Sequence, residues 1–434
     1  MIRSLFTGLI LLALSLSLPA QMMLDTVLKL NTVEISADQY FKKETAGMKQ
    51  SEVDSLVLLQ KANLSLSSVL AENTQVFIKD YGRGALATAS FRGSAASHTQ
   101  VNWNGMPINT PMSGMVDFSL IPVYIIDELS LKHGTASIAD QSGGLGGSVN
   151  ISNKIDWEKD LSAKYLQGIG SYSTFDEFLQ LQAGNRKLQS KTRLYHNYSK
   201  NDFTFVNRGI ANIDPATGDI TNPVDTNKNA AYTRYGLLQE LYFRPGNEDL
   251  LSAKFWWQKA DRTVPQATSY EGPDNSNLNN RIDRDVKVLA DWKHYGERSK
   301  LLIRSGYSAK KLDYTLKNRV SGVGLVPVIF SESTQQSSLN RVAYDYNLRD
   351  DLSFSASVDF NHHDVVTRDS VQQTGYDENR SELSWLLSVQ KSFAGRLNLN
   401  LMLRQDVVDF RSAPLVPYLG FDFKILQNRE LILK

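Results

Sequence analysis

From Leu161 onward, hydrophobic and polar residues alternate along the chain with a period of two. Leu352, Phe354, Ala356, Val358 and Phe360 are separated by Ser353, Ser355, Ser357, Asp359 and Asn361. Leu397, Leu399, Leu401 and Leu403 alternate with Asn398, Asn400, Met402 and Arg404, and Val286, Val288, Ala290 and Trp292 run against Lys287 and Asp291. This period places one greasy and one polar face on each extended strand. A soluble sandwich would turn the greasy face inward, a membrane barrel would turn it to lipid, and alternation alone does not choose. Connection length does. Tight turns near Asn185, Pro245 to Glu248, Gly296 to Arg298, Arg349 to Asp351, Gly395 and Asn428 interleave with looser segments at 201–230, 262–283, 317–331 and 364–377. Short turns at one end and long loops at the other are the rhythm of a transmembrane barrel. The pattern predicts about twelve strands, each long enough for the roughly ten-residue tilted crossing. Trp256, Trp257, Trp292 and Tyr295 suit an interfacial girdle.

Before Lys154 the signals are mixed. Leu66, Val69 and Leu70 form a short helical face behind a cap at Asn63 or Ser65. Strand-like runs follow at Val76 to Lys79, Ala87 to Arg92, Thr99 to Trp103, Asp127 to Lys132 and Ser148 to Ile151, and Asn104-Gly105 is a two-residue hairpin turn. The expected architecture is therefore a β fold, an incomplete membrane β-barrel of about 12 strands over 154–434, with a small α+β N-terminal domain over 41–153. At the start, Arg3 precedes an apolar run from Leu5 to Leu18 that ends in Pro19 and Ala20. It reads as a secretory signal over 1–20, because about fourteen apolar residues fall short of the roughly twenty a spanning helix needs.

Composition narrows the chemistry. There is no cysteine in 434 residues, which removes thiol catalysis, disulfides and cysteine-ligated metals. A formal net charge of +1 provides no electrostatic case for nucleic acid. No nucleophile elbow, His-Glu-x-x-His pair or dinucleotide fingerprint is present, so binding or transport is a better reading than catalysis, and no cofactor is expected.

The N-terminal domain carries a family resemblance over most of residues 31–151. Phe91, Arg92, Gly93, Ser94, Ala95, Ala96, Ser97 and His98, then Val101 to Asn109 around Asn104 and Gly105, resemble the plug domain of TonB-dependent outer-membrane receptors, cobalamin receptors in particular. Ile126 to Gly134 and Gly143 to Ile151 are similar to the plug's closing motif. Two places depart from it: Lys132 and His133 stand where an Arg-Gly-Pro-like sequence is common, and Ala139 with Asp140 replace an aromatic and a glycine. Within 21–40, Thr32, Val33, Glu34, Ile35, Ser36 and Ala37 look like a TonB box, the segment that the resemblance implies pairs with the energy transducer TonB by strand addition. Asp25, Thr26 and Val27 are a second candidate, and the plain alternative for 32–37 is a first plug strand.

Gly143, Gly144, Gly146 and Gly147 are read as close-packing positions rather than a phosphate loop, since no lysine with Ser or Thr follows. Arg92 is read as a buried ion-pair partner, with Glu128 as its acid. At positions that the resemblance assigns to substrate loops, Tyr81, Gly82, Arg83 and Gly84 form one candidate ligand surface, and Asn109, Thr110, Met112, Ser113 and Met115 a second. An aromatic, a cation, amides and thioethers together suit a large amphipathic ligand. Asp214, Asp219 and Asp225 are considered as calcium ligands, but their spacing does not match an EF-hand and a charged exposed loop is their ordinary meaning. His362 and His363 fall on opposite faces of a strand, which argues against a shared metal.

The resemblance implies outer-membrane lipid around the barrel, TonB as partner, no nucleic acid, and uptake of a small molecule, with cobalamin or another corrinoid favoured and an iron chelate next. The alternatives are a split-gene or non-functional receptor fragment, a passive porin, and a periplasmic β-rich glycan-binding protein. A plug of about 120 residues, with a radius of gyration near 13 to 14 Å, needs a wide lumen of the sort that about 22 strands provide, so about twelve point to a C-terminally truncated barrel.

Overall fold

In the computed structural model, the alternating stretches form one antiparallel sheet that turns its apolar face outward. The residues described are 46–140, 144–265, 278–394, 396–424 and the backbone of 432–433. Residues 44–434 are one compact unit. The signal segment, both TonB-box candidates, Gly143, Gly395 and Asn428 lie outside the described residues.

The N-terminal domain is built from a five-stranded sheet, two short helices and a small hairpin. Its strands are β1 (Lys49–Val53), β2 (Phe77–Asp80), β3 (Ala87–Ser90), β4 (Thr99–Trp103), β5 (Met106–Pro107), β6 (Glu128–His133) and β7 (Gly147–Ser152). The sheet order is β1-β6-β7-β4-β5, with β2 and β3 paired separately. Helix α1 (Ser55–Gln60), absent from the sequence reading, starts where the Asp54 carboxylate accepts from Leu56 N at 2.8 Å. Helix α2 (Leu66–Asn73) follows the N-cap Ser65 and buries the expected face of Leu66, Val69 and Leu70. Asn104 and Gly105 both have positive φ, 51° and 78°, as a two-residue hairpin of this type requires.

The long sheet contains 14 strands. Twelve are of nine residues or more: β8 (Leu161–Gly170), β9 (Thr174–Gly184), β10 (Leu188–Ser199), β15 (Tyr232–Phe243), β16 (Asp249–Thr263), β17 (Leu278–Tyr295), β18 (Ser299–Val320), β19 (Gly324–Arg349), β20 (Leu352–Asp369), β21 (Thr374–Phe393), β22 (Leu397–Val408) and β24 (Val416–Lys424). The two-residue strands β23 (Arg411–Ser412) and β25 (Ile432–Leu433) complete it. Between β10 and β15 the long loop folds into β11 (Thr204–Val206) with β14 (Val224–Thr226), and β12 (Asn212–Ile213) with β13 (Ile220–Thr221). Every long-strand pair is antiparallel to its neighbour in chain order. Among the described residues, β8 and β25 are the two edges.

Side-chain direction settles what alternation could not. On β20, Phe354, Val358 and Phe360 are exposed while Ser353, Ser357, Asp359 and Asn361 are buried. On β22, Leu401 and Leu403 are exposed while Asn400 and Arg404 are buried. A water-soluble sandwich would have the opposite arrangement. Exposed apolar residues over so wide a surface would aggregate in water, and they suit a lipid-facing band. Two of the looser segments are not loose. β18 and β19 stay paired up to Val320 and Gly324, and β20 and β21 up to Asp369 and Thr374, so 317–331 and 364–377 are long hairpins extending the sheet. β-branched and aromatic residues such as Val326, Val328, Ile329 and Phe330 keep the pairing favourable past the crossing length.

The N-terminal domain sits against the inward face of this sheet and shares its core. Trp103, Leu129, Leu131, Val149 and Ile151 pack in one cluster with Tyr195, Leu238, Trp256 and Leu289 of the sheet. Trp256 is 1% exposed, with its ring 5.4 Å from Trp103, so it is a plug contact and not part of a girdle. Trp292 does face outward, its Nε1 donating to Asp249 at 2.9 Å.

Candidate functional site

The loop at residues 80–86 meets the long-loop end of the sheet at Asp176, Asn201 and Tyr232, and Asp80 closes it locally, accepting from Gly82 N at 2.7 Å. Its Arg83 does not wait for a ligand. The guanidinium binds both Asp176 oxygens (2.7 Å to Oδ1) and the Tyr232 hydroxyl. Asn201 reaches the Arg83 carbonyl at 3.2 Å. Arg83 is thus a strut between plug and wall whose side chain is still 37% exposed. Tyr81, 60% exposed with the Lys79 ammonium 5.2 Å from its ring, presents the free surface of this loop.

Asn109 likewise turns inward. Its amide donates to Thr99 O at 2.9 Å and Gly114 O at 2.8 Å and its oxygen accepts from Val101 N at 2.8 Å, so it organises the second loop rather than offering an amide outward. Thr110 and Ser113 share a hydroxyl contact of 2.6 Å. Met112, 41% exposed, places its sulfur 3.5 Å from Ser333 Oγ and 3.8 Å from Thr367 Oγ1 on the long hairpins. The structure therefore brings both candidate loops to the long-loop end, where Tyr81, Arg83, Met112 and Ser113 are exposed and Arg83 and Asn109 also hold the local scaffold.

Below the apex, charged wall residues hold the plug. Asp117 accepts from Arg262 Nη1 at 2.8 Å, while its other oxygen accepts from Ala87 N, Ser119 N and Ser119 Oγ. Asp127 receives Lys191 at 3.1 Å and the Arg193 guanidinium. Neither aspartate was singled out by sequence, since their partners lie 64 to 145 residues away. Asn153 was also missed. It accepts from Trp103 Nε1 and Asn104 Nδ2 at 2.8 Å each and donates to Ile125 O at 2.6 Å, tying the hairpin to the domain's last strand.

The expected Arg92–Glu128 pair does not form. Arg92 is exposed with φ 49°, a turn position after β3, and Glu128 pairs with Lys154. The two departures from the plug pattern instead complement each other. Lys132 Nζ lies 2.5 Å from Asp140 Oδ1, and Ser148 and Asn150 donate to the other oxygen. Burial pushes the Asp140 carboxyl up, but Lys132 and these donors outweigh it and hold it below the usual range. His133 packs edge-on to Phe91 and contacts Ser51 Oγ at 2.9 Å. Gly147, at φ 147°, passes so close to Lys132 O that a Cβ would stand 2.5 Å away, which supports close packing over anion binding for the glycine cluster.

The calcium candidates are occupied locally. Asp214 accepts from Ala216 N at 2.7 Å, Asp219 from Thr217 Oγ1 at 2.9 Å, and Asp225 faces Lys228 at 3.3 Å. Among the described residues no three His, Asp or Glu side chains are placed to share a metal.

Polar gaps lie between plug and wall. One of about 240 Å³ lies beside Arg83, Arg234 and Arg262, and one of about 340 Å³ beside Lys132, Asp140, Arg304 and Arg341. Each is at or below the small end of pockets that hold a drug-sized molecule.

A small domain is thus packed on the polar inner face of a sheet whose apolar face points outward. Residues 42–148 match the family model described as TonB-dependent Receptor Plug Domain. The chain is 23% identical over 123 residues, 28% of its length, to the vitamin B12 transporter BtuB of Vibrio vulnificus, and 26% identical over 125 residues to that of Vibrio cholerae. It spans 20% of the length of either relative. Among solved structures, the FrpB iron transporter from Neisseria meningitidis superposes with a TM-score of 0.68 at 11% identity, over 88% of this chain and 64% of that one. The copper transporter OprC (0.65, 11%, 88% and 63%) and the siderophore receptor PirA from Acinetobacter baumannii (0.65, 13%, 90% and 60%) share the fold. Residues 42–148 thus match the plug domain of TonB-dependent receptors, and the sheet they pack against shares the fold of the barrels in these solved structures.

Proposed function

We propose that the protein takes up a scarce, bulky ligand across the outer membrane, with TonB supplying the energy. The observation that carries this reading is the seated plug. Its apex loops meet the long-loop end of the sheet, while its body packs on the inner face, with gaps of about 240 and 340 Å³ beside it. A passive pore needs no such obstruction, and gaps of this size do not admit a bulky ligand. Movement against several buried ion pairs requires work, which fits an energised partner acting on Thr32 to Ala37. The ligand touches Tyr81, Met112 and Ser113 and the loops around them. Similarity of the plug to vitamin B12 transporters favours cobalamin or another corrinoid, and an iron chelate stands second. Binding of cyanocobalamin and of ferric chelates to cells displaying the protein tests the choice. Saturable cyanocobalamin binding that Tyr81→Ala weakens supports the first, whereas binding of ferric chelates alone moves the reading to the second.

A further inference from the structure

We propose that the 240 Å³ cavity behind the apex loop binds one small oxyanionic group, a carboxylate, phosphate or sulfate, between the wall arginines and the first turn of α2. The inference deepens the receptor reading and rests on it only for the anion's source.

Arg234 is the starting point. It is 6% exposed, and its guanidinium donates to Asn197 Oδ1 at 3.0 and 2.8 Å and to Ser119 O at 2.5 Å. All these acceptors are neutral, and among the described residues no carboxylate lies within 4.0 Å of it. A buried cation without a counter-ion is costly unless an anion joins it. Arg262, 3% exposed, lines the same cavity, and its Nε has no hydrogen-bond partner although its terminal nitrogens bind Asp117 and Asp283.

The opposite side of the cavity is the start of α2. Ser65 occupies the N-cap but its side chain does not cap the helix; its hydroxyl contacts Ser67 Oγ at 2.7 Å and Ser68 Oγ at 3.3 Å. These hydroxyls line the cavity where the helix presents its partial positive charge. The one acidic side chain in the lining, Asp80, is engaged with Gly82 N. Guanidinium groups, hydroxyls and a helix N-terminus together form a receptor for an oxyanion.

Calorimetric titration of the detergent-purified full chain with inorganic phosphate tests the site. Saturable binding is expected, weakened about tenfold or more by Arg234→Gln, on the scale of a lost charge-assisted hydrogen bond, and less by Ser67→Ala. Ser68→Ala, a smaller change at the cavity wall, provides the check if Arg234→Gln fails to fold, and it too should weaken binding. Absence of saturable binding, or an affinity unchanged in every folded variant, overturns the proposal. Repeating the titration with cyanocobalamin or ferric citrate present identifies the source. Competition assigns the site to an acidic group of the ligand, and independent binding assigns it to a free anion. The phosphate titration needs no transported ligand, so it stands if the transport reading fails.

Discussion

Asp117→Asn should loosen the plug in its seat while leaving the sheet folded. The substitution keeps the side chain's size and its ability to accept from Ala87 N and Ser119 N, and removes the charge that faces Arg262 at 2.8 Å. Arg262 and Asp117 are each 4% exposed at the side chain, so solvent cannot replace the partner. Arg262 retains Asp283 at 2.8 Å, but that carboxylate already serves Arg281 and Lys310. Breaking one arm of a buried network costs about 3 kcal/mol, within the range for an uncompensated buried charge. At about 1.4 kcal/mol per tenfold, plug amides should exchange roughly a hundredfold faster where exchange follows opening of the plug. Hydrogen exchange read by mass spectrometry on the detergent-solubilised protein measures this directly, with β17 to β20 as the internal reference. A double-mutant cycle with Arg262→Gln should show a coupling of about 1 kcal/mol or more, the size expected for contacting charges. Unchanged protection over residues 84–90 and 117–126 would refute the assignment of this pair as a seat for the plug.

His133 gives a pH dependence. Burial, then the positive charges of Lys49 and Arg92, lower its pKa below the usual histidine value. Its contribution to plug stability is therefore complete above about pH 6.5 and is lost as pH falls toward the folded-state value; acid titration of plug protection should show this, and His133→Gln should flatten the profile. Gly105→Ala should destabilise the plug by about 1–2 kcal/mol, because its φ of +78° is one that an L side chain adopts only at a cost; equal denaturation midpoints would contradict it.

Local chemistry made part of this molecule legible in the sequence. Asn104-Gly105, Leu66 with Val69 and Leu70, and the alternation on β20 and β22 each depend on neighbours a few residues away, and each took the expected form. The roles of Arg83, Arg92 and Trp256 were not legible. Arg83 meets Asp176 and Trp256 meets Trp103 across a packing interface between distant segments, and Arg92 lost its supposed acid to Lys154. Period two likewise specifies two faces without saying which one meets solvent. The pairing of Lys132 with Asp140 shows that two departures from a family pattern can be a single compensated change, visible only once both are placed.

The proposed energised uptake is tested by comparing the parental chain with Val33→Pro in cells that carry TonB. Proline removes a backbone N–H from the segment and stiffens it against strand addition. With cyanocobalamin and a ferric chelate as probes, the account predicts surface binding equal to that of the parent and energy-dependent accumulation reduced to the level of cells lacking TonB. Accumulation by Val33→Pro at the parental rate, in cells where the parent needs TonB, would contradict the assignment of Thr32 to Ala37 as the coupling segment, and accumulation by the parent without TonB would contradict the claim of energised uptake itself.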